Sequence, residues 1–301
     1  MIRVLLTGGT GSFGVGFTRM LADNAEDYHV RVYSRDEHKQ AQMRLEFSGC
    51  DKVAFYIGDV RDRDRLERAM SGCDWVVHAA ALKQAPLGEI EAEEFIKTNV
   101  MGSINVVEAA RRCAVKRALL VSTDKAVEPI NLYGATKMCA EKVFLQADHM
   151  RETPTLFHPT RFACTRYGNV AGTNGSVIPT FLRLPDDKLT PITDPQATRF
   201  WITLKEANKF VFDVINMRPD AFGGKVHFPR LKSVRVIDIA RAVRPGHAIE
   251  IVGLRPGDKL HEVLSIDGER YSSDKNEFLE ADEIRSHVFG GRPRLEAGVA
   301  S

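Results

Sequence analysis

Thr123, Asp124 and Lys125 bring a hydroxyl, a carboxyl and an amine into three consecutive positions, and Tyr133 and Lys137 follow within the segment STDKAVEPINLYGATK. Tyr133 and Lys137 stand four apart, so a helix puts them on one face. An ammonium beside a phenol lowers the phenol's pKa, and the tyrosinate can then take the proton of a substrate hydroxyl while its carbon loses hydride. A neighbouring carboxyl and amine can serve as proton donor and acceptor, or can sit as a solvated ion pair on a turn. Which of these holds depends on what the rest of the chain places beside them.

Apolar runs at 2–7, 29–33, 52–57, 74–80 and 117–123 alternate with helical patterns at 12–23, 36–47, 62–70, 91–112 and 133–150. Short continuous apolar strands between amphipathic helices predict an α/β fold, a Rossmann-like doubly wound parallel sheet covered on both faces. Ligands in such sheets bind beyond the carboxyl ends of the strands. The loop that opens with Thr123 follows the fifth run, where a nicotinamide ring would lie. After residue 170 the pattern loosens, with prolines at 179, 185, 191 and 195. The expected domains are therefore 1–170, binding a dinucleotide, and 171–301, a smaller mixed lobe partly interleaved with the first.

The first strand runs into Thr7, Gly8, Gly9, Thr10, Gly11, Ser12, Phe13 and Gly14. Glycines at 8, 11 and 14 allow a tight turn, close approach of a pyrophosphate and close helix packing, while the helix N-terminus supplies amides and positive dipole. After the second strand, Ser34 and Arg35 suit a 2′-phosphate and favour NADP over NAD, although Asp36 is a carboxylate that could serve the ribose of NAD. In Gly58-Asp59-Val60, Asp59 can accept from an adenine amino group or cap the next helix. Ala79, Ala80 and Ala81 end the fourth strand with side chains small enough for a dinucleotide to lie against the backbone. Lys83 follows them and can reach the nicotinamide ribose or the substrate. Asn99 can contact the cofactor or tie backbone groups together.

The 301 residues, 44% hydrophobic, can bury a large core, and a formal charge of +2 lacks the footprint of a nucleic-acid binder. A small-molecule ligand is expected. Five scattered cysteines without a C-x-x-C pair argue against zinc or a disulfide framework, read as packing residues and fit a reducing compartment. No metal is expected. The opening apolar run is too short for a signal peptide or a membrane span. A cytoplasmic protein without a membrane partner follows.

The motifs TGGTGSFG and YGATK resemble those of the extended short-chain dehydrogenase/reductase superfamily. The stretches YSRDEHKQ, HAAALKQAPLGE, IKTNVMGSINVVEAA, STDKAVEPINLYGATK, RYGNVAG, GSVIP, TRFWIT and RPGDKLHEV are similar to those of the inverting UDP-N-acetylglucosamine 4,6-dehydratases. The resemblance implies C4 oxidation, elimination of water across C5 and C6, and hydride return to C6, giving a 4-keto-6-deoxy sugar with inversion at C5. It implies Asp124 as the acid at O6, Lys125 as the base at C5, and Thr123 at O4 beside Tyr133 and Lys137. It also implies a UDP-amino sugar partner and a homo-oligomer.

On the same resemblance, Asn169 contacts the diphosphate, Ser176 and Val177 of GSVIP line a uracil pocket, and Glu262 meets the uridine ribose. Arg199 and Arg255 are natural pyrophosphate clamps, because a planar guanidinium makes paired hydrogen bonds to phosphate oxygens. His261 reads as a packing or surface residue rather than a catalyst. The chain departs from the family pattern at HEVLSIDGERYSS, where a longer family segment is contracted. Two other readings stay open: a UDP-hexose 4-epimerase, which needs Tyr133 and Lys137 but not Asp124 or Lys125, and a non-catalytic dinucleotide sensor on the same fold.

Overall fold

The computed structural model describes residues 1–152, 158–173, 176–266 and 269–290. Gly175 of GSVIP and the Asp267 and Gly268 positions of the contracted segment lie outside the described residues. The chain divides into two units, Met1–Tyr167 with Lys205–Pro229, and Gly168–Leu204 with Arg230–Ser301.

In the first unit, strands β1 (Ile2–Thr7), β2 (Tyr28–Ser34), β3 (Val53–Ile57), β4 (Trp75–His78), β5 (Arg117–Val121) and β6 (Arg161–Thr165) pair in parallel in the order β3-β2-β1-β4-β5-β6, and Val226–His227 adds a seventh strand beside β6. This is the Rossmann order, with its switch point between β1 and β4. The strand centres are apolar on both faces because helices cover both: Leu5, Leu6, Val76, Val77, Leu119 and Leu120 are fully buried, each contributing on the order of 2 kcal/mol. Helices α1 (Ser12–Ala22), α2 (Glu37–Glu46) and α3 (Arg63–Met70) return the chain between the first four strands.

The single helix expected at 91–112 is interrupted. A short helical turn, Ala92–Phe95, leads into a π-helical turn, Ile96–Met101, before the helix Gly102–Arg112. Gly102 allows this, since a Cβ there would stand 2.8 Å from Val60 Cγ2. Such π turns often mark functional sites, and this one carries Asn99. The long helix Leu132–His149 follows β5, started by Asn131, whose side chain accepts from the Gly134 amide at 2.8 Å.

The boundary expected at 170 is incomplete, because Lys205–Pro229 belongs to the first unit. In that segment Phe212 packs edge-on against Tyr28, and Asn216 accepts from the Tyr28 hydroxyl at 3.1 Å. Contacts between residues nearly 190 positions apart are not visible in local periodicity. The second unit has its own core around Ile178, Phe181, Trp201, Val234, Ile239, Val243 and Ile284. Its strand Thr198–Ile202 lies between Asn169–Val170 and Ser233–Arg235. Of the cysteines, Cys73 and Cys164 are core residues as expected, but Cys139 is exposed. Among the described residues no helix is long and apolar enough to cross a membrane.

Candidate active site

The glycine turn after β1 divides its labour among three positions. Gly8 has φ +69°, and a Cβ there would meet the Ala80 amide nitrogen at 2.7 Å; Gly14 lets α1 pack on Gly9, whose carbonyl oxygen would stand 2.4 Å from an added Cβ. Gly11 is exposed, and a Cβ there would meet only the Gly8 carbonyl, at 3.3 Å. Gly11 is also the N-cap of α1, with no side chain capping the first amides. Open backbone at an uncapped helix N-terminus fits a dinucleotide pyrophosphate. Thr10, Ser12 and Phe13 are half-buried around it, and Phe13 stacks on Phe17 at 5.3 Å.

The side chain of Thr7, one of the expected cofactor residues, faces the interior, which leaves its backbone for a ligand. It is fully buried, and its hydroxyl bridges His78 Nδ1 at 2.6 Å and the Ala80 amide at 3.3 Å. Asn99 is likewise structural. Its Oδ1 accepts from the Leu82 amide at 2.8 Å, and its Nδ2 donates to the Leu82 carbonyl at 2.9 Å and to Thr136 Oγ1 at 3.0 Å. Val60 is buried, leaving only its backbone for a ligand. Ala79, Ala80 and Ala81 are half-buried beside Gly8, and Lys83 lies exposed beyond them.

At the ends of β2 and β3 charges alternate. Arg35 Nη1 stands 3.5 Å from Asp59 Oδ2, Arg61 Nη2 is 2.7 Å from the same oxygen, and Arg61 Nη1 is 2.5 Å from Glu94 Oε2. Burial alone would push the Asp59 carboxyl up, but hydrogen bonds from Arg61 and the charges of Arg35 and Arg61 hold it below its ordinary value. Asp59 does not cap α3; Asp62 does, accepting from the Arg65 amide at 3.0 Å. Asp36 caps α2 through the Lys39 amide at 2.9 Å. The Ser34 hydroxyl accepts from Gln40 Nε2 at 3.1 Å.

Beyond β5 the chemistry-bearing residues of the opening segment come together. Asp124 is fully buried in a short helical turn Asp124–Ala126, and its Oδ1 accepts from the Thr123 hydroxyl at 2.9 Å and from Lys125 Nζ at 3.1 Å. Lys125 keeps a quarter of its side chain exposed, 26%, so the pair is open on the lysine side. The solvated-turn alternative does not describe a carboxyl with no exposure. The turn is held by the Asp124 amide donating to the Tyr167 carbonyl at 3.1 Å. Helix Leu132–His149 sits directly on it: a Cβ at Gly134 would stand 2.2 Å from the Lys125 carbonyl oxygen. Glycine between Tyr133 and Lys137 is therefore what brings the helix onto the Asp124 turn.

Lys137 is buried, and its Nζ donates to the Val121 carbonyl at the end of β5, at 2.9 Å. Burial pulls its pKa down from 10.5 to about 8, against the raising influence of Glu141 one turn along. Glu141 is itself held by a two-pronged pair with Arg166, at 2.8 and 2.5 Å. Sequence reasoning missed this pair and the Asn131 cap; Asn followed by a helical pattern was the available signal for the latter.

A family model described as a polysaccharide biosynthesis protein matches residues 4–282. The chain belongs to this family. Among relatives of this polysaccharide biosynthesis family member, the UDP-N-acetylglucosamine 4,6-dehydratase (inverting) of Campylobacter jejuni is 43% identical over 265 residues, 87% of this chain and 77% of the relative. A UDP-glucose 4-epimerase of Rickettsia canadensis is 38% identical over 273 residues, 87% and 76% of the two chains. Among solved structures, Pen from Bacillus thuringiensis superposes with TM-score 0.85 at 28% identity, over 95% of this chain and 96% of that one. DesIV, a dTDP-glucose 4,6-dehydratase from Streptomyces venezuelae solved with NAD and TYD bound, gives 0.77 at 22%, over 95% and 96%, a likeness of fold.

In the second unit the expected substrate residues are arranged less openly. Arg199 is not an open clamp: its side chain is 12% exposed, its Nη1 donates to the carbonyls of Thr198 at 2.7 Å and Leu260 at 3.1 Å, and its Nε lies 4.0 Å from Glu262 Oε1. Glu262 is buried and also faces Lys259 Nζ at 3.8 Å. Arg255 is 63% exposed and paired with Asp258 at 2.8 Å. Asn169 opens the strand paired with Thr198–Ile202, and Ser176 precedes the helix Val177–Leu182, with Val177 packed on that unit's core. His261, half-buried, bonds Thr198 Oγ1 through Nδ1 at 2.9 Å.

Proposed function

We propose that this chain is a C5-inverting UDP-N-acetylglucosamine 4,6-dehydratase, a lyase that uses NADP. The observation that carries the reading is the fully buried Asp124 carboxyl, bonded to Thr123 and Lys125 and seated under the helix that bears Tyr133 and Lys137. The Campylobacter relative supports the same activity. Arg35 supports NADP, since its guanidinium is 47% exposed and only loosely tied to Asp59, leaving it available to a 2′-phosphate.

A bound nicotinamide dinucleotide supplies the hydride acceptor at C4 and the hydride donor at C6. Tyr133, with Lys137 one turn away, takes the O4 proton during oxidation. The C4 ketone acidifies C5–H, Lys125 removes that proton, and Asp124 protonates O6 so that water leaves. The 3.1 Å contact between Lys125 Nζ and Asp124 Oδ1 gives a direct path for resetting the two groups. Thr123 orients the Asp124 carboxyl through Oδ1. A proton returned to C5 from the opposite face completes the inversion.

The Rickettsia relative favours a second reading, 4-epimerisation, for which the buried Asp124 would have no task. Incubation with UDP-N-acetylglucosamine in deuterated water separates the two. A 4-keto product lacking O6 and carrying deuterium at C5 supports the dehydratase. C4 inversion with C5–H intact supports the epimerase, and binding without turnover overturns both.

A further inference from the structure

His78 ends β4 in the interior, 1% exposed, and takes no part in the steps above. Its partners fix its protonation pattern. Ser103 Oγ donates its one proton to the Asn99 carbonyl at 2.6 Å, so toward His78 Nε2, 3.1 Å away, it can only accept. Nε2 therefore carries a proton. In the neutral ring Nδ1 is then an acceptor, and it receives the Thr7 hydroxyl at 2.6 Å, while Thr7 Oγ1 accepts from the Ala80 amide at 3.3 Å. Every donor in this row has an acceptor. A charged ring would make Nδ1 a donor and leave the Thr7 hydroxyl proton without one. Burial agrees, pulling the His78 pKa from 6.5 to about 3.

The row adds a side-chain link to elements that the sheet ladder and helix packing already hold together, since Thr7 and His78 are register partners in β1 and β4. Thr7 ends β1 under the glycine turn, and Ala80 packs against Gly8. Ser103 and Asn99 belong to the π-helical turn and the helix after it. From Asn99 the connection runs through Thr136 Oγ1, which donates to the Tyr133 carbonyl at 2.8 Å. The imidazole also stacks on Phe144 of the same helix, centroids 6.0 Å apart and planes within 8°.

We propose that His78 is a positioning residue: as its Nε2–H tautomer it fixes the glycine turn that receives the dinucleotide against the helix that presents Tyr133 and Lys137. The functional half of this rests on the proposed function; the hydrogen-bond relay itself does not.

The first test needs no variant. Histidine 15N spectra should show His78 with Nε2 protonated and Nδ1 bare, unchanged between about pH 6 and pH 9; the other tautomer, or titration in that range, overturns the relay. The second is a double-mutant cycle between Thr7→Val and Ser103→Ala, residues that touch only through the ring. Each single change should weaken NADP binding about three- to tenfold, and the double should be little worse than the poorer single, because a row cut once transmits nothing more. Strict additivity overturns the proposal. His78→Phe keeps the ring's bulk and should lose both dinucleotide affinity and kcat while folded, and His78→Gln, which restores a donor toward Ser103, should recover part of each. A folded His78→Phe with wild-type affinity and kcat reduces His78 to a packing residue. Should the wild type bind neither NADP nor NAD, the proposed function fails, and the relay is decided by the tautomer and by the same cycle read in urea unfolding.

Discussion

Lys137→Met tests whether the helix Leu132–His149 keeps its buried amine at a cost in stability. Methionine has similar length and no charge, so the change removes the ammonium and leaves the packing nearly intact. The fall in pKa from 10.5 to about 8 corresponds, at about 1.4 kcal/mol per pH unit, to about 3 kcal/mol lost from the folded state when the lysine must be protonated there. Against this, the variant leaves the buried Val121 carbonyl without its 2.9 Å donor, about 1–3 kcal/mol. Near pH 7 the two nearly cancel, and the variant should lie within about 2 kcal/mol of wild type.

The decisive signature is in pH. A lysine whose folded pKa is depressed binds a proton in the unfolded chain throughout the window from about 8 to 10.5, where the folded protein has released it. Unfolding then takes up protons, so wild-type stability rises with pH across that window, by up to about 3 kcal/mol relative to the variant. Below about pH 8 both states are charged and the difference is flat. Urea unfolding of the two proteins from about pH 7 to about pH 10 measures this directly, with other titrating groups cancelling in the comparison. Parallel stability curves would refute the buried-amine account, and retained turnover by Lys137→Met would remove Lys137 from the chemistry as well.

Gly134→Ala should be far more damaging than a usual helical Gly→Ala change, because its Cβ would fall 2.2 Å from the Lys125 carbonyl oxygen; about 2–3 kcal/mol of stability and nearly all turnover should be lost, and a thermal melt matching wild type would show that the seating is loose. Asp124→Asn and Lys125→Ala should each stall elimination while still exchanging hydride at C4, seen as ketone formation without O6 loss; full turnover in both removes the pair from the mechanism. Arg35→Ala should weaken NADP binding about tenfold or more while sparing NAD, the loss of a charged phosphate contact; equal weakening of both would mean that Arg35 only steadies Asp59. Asn131→Ala should cost about 1 kcal/mol by uncapping the long helix, with a small drop in melting temperature and a comparable kcat.

The parallel sheet was legible because its strands are apolar on both faces. The run at 29–33 became Tyr28–Ser34 and the run at 117–123 became Arg117–Val121, with errors only at the ends. The π-helical turn at Ile96–Met101 was illegible, because IKTNVM has ordinary helical composition and the extra residue per turn answers to Val60 pressing on Gly102, across 42 positions.

The same distinction separates the site residues. The placement of Tyr133, Lys137 and the glycine turn could be read because it follows from spacing along one element. The partners that Thr7, Asn99 and Arg199 take inside the protein were not legible, because each polar side chain chooses among several and the choice is made by contacts remote in sequence: Thr7 by His78, 71 residues on, and Arg199 by Leu260, 61 residues on. A buried hydroxyl, amide or guanidinium must be satisfied somewhere, so the nearest interior acceptor claims it before any ligand can. Partly exposed side chains such as Lys125 at 26% and Arg35 at 47% keep a surface that a ligand could reach, which is the premise the proposed reaction and cofactor choice rest on.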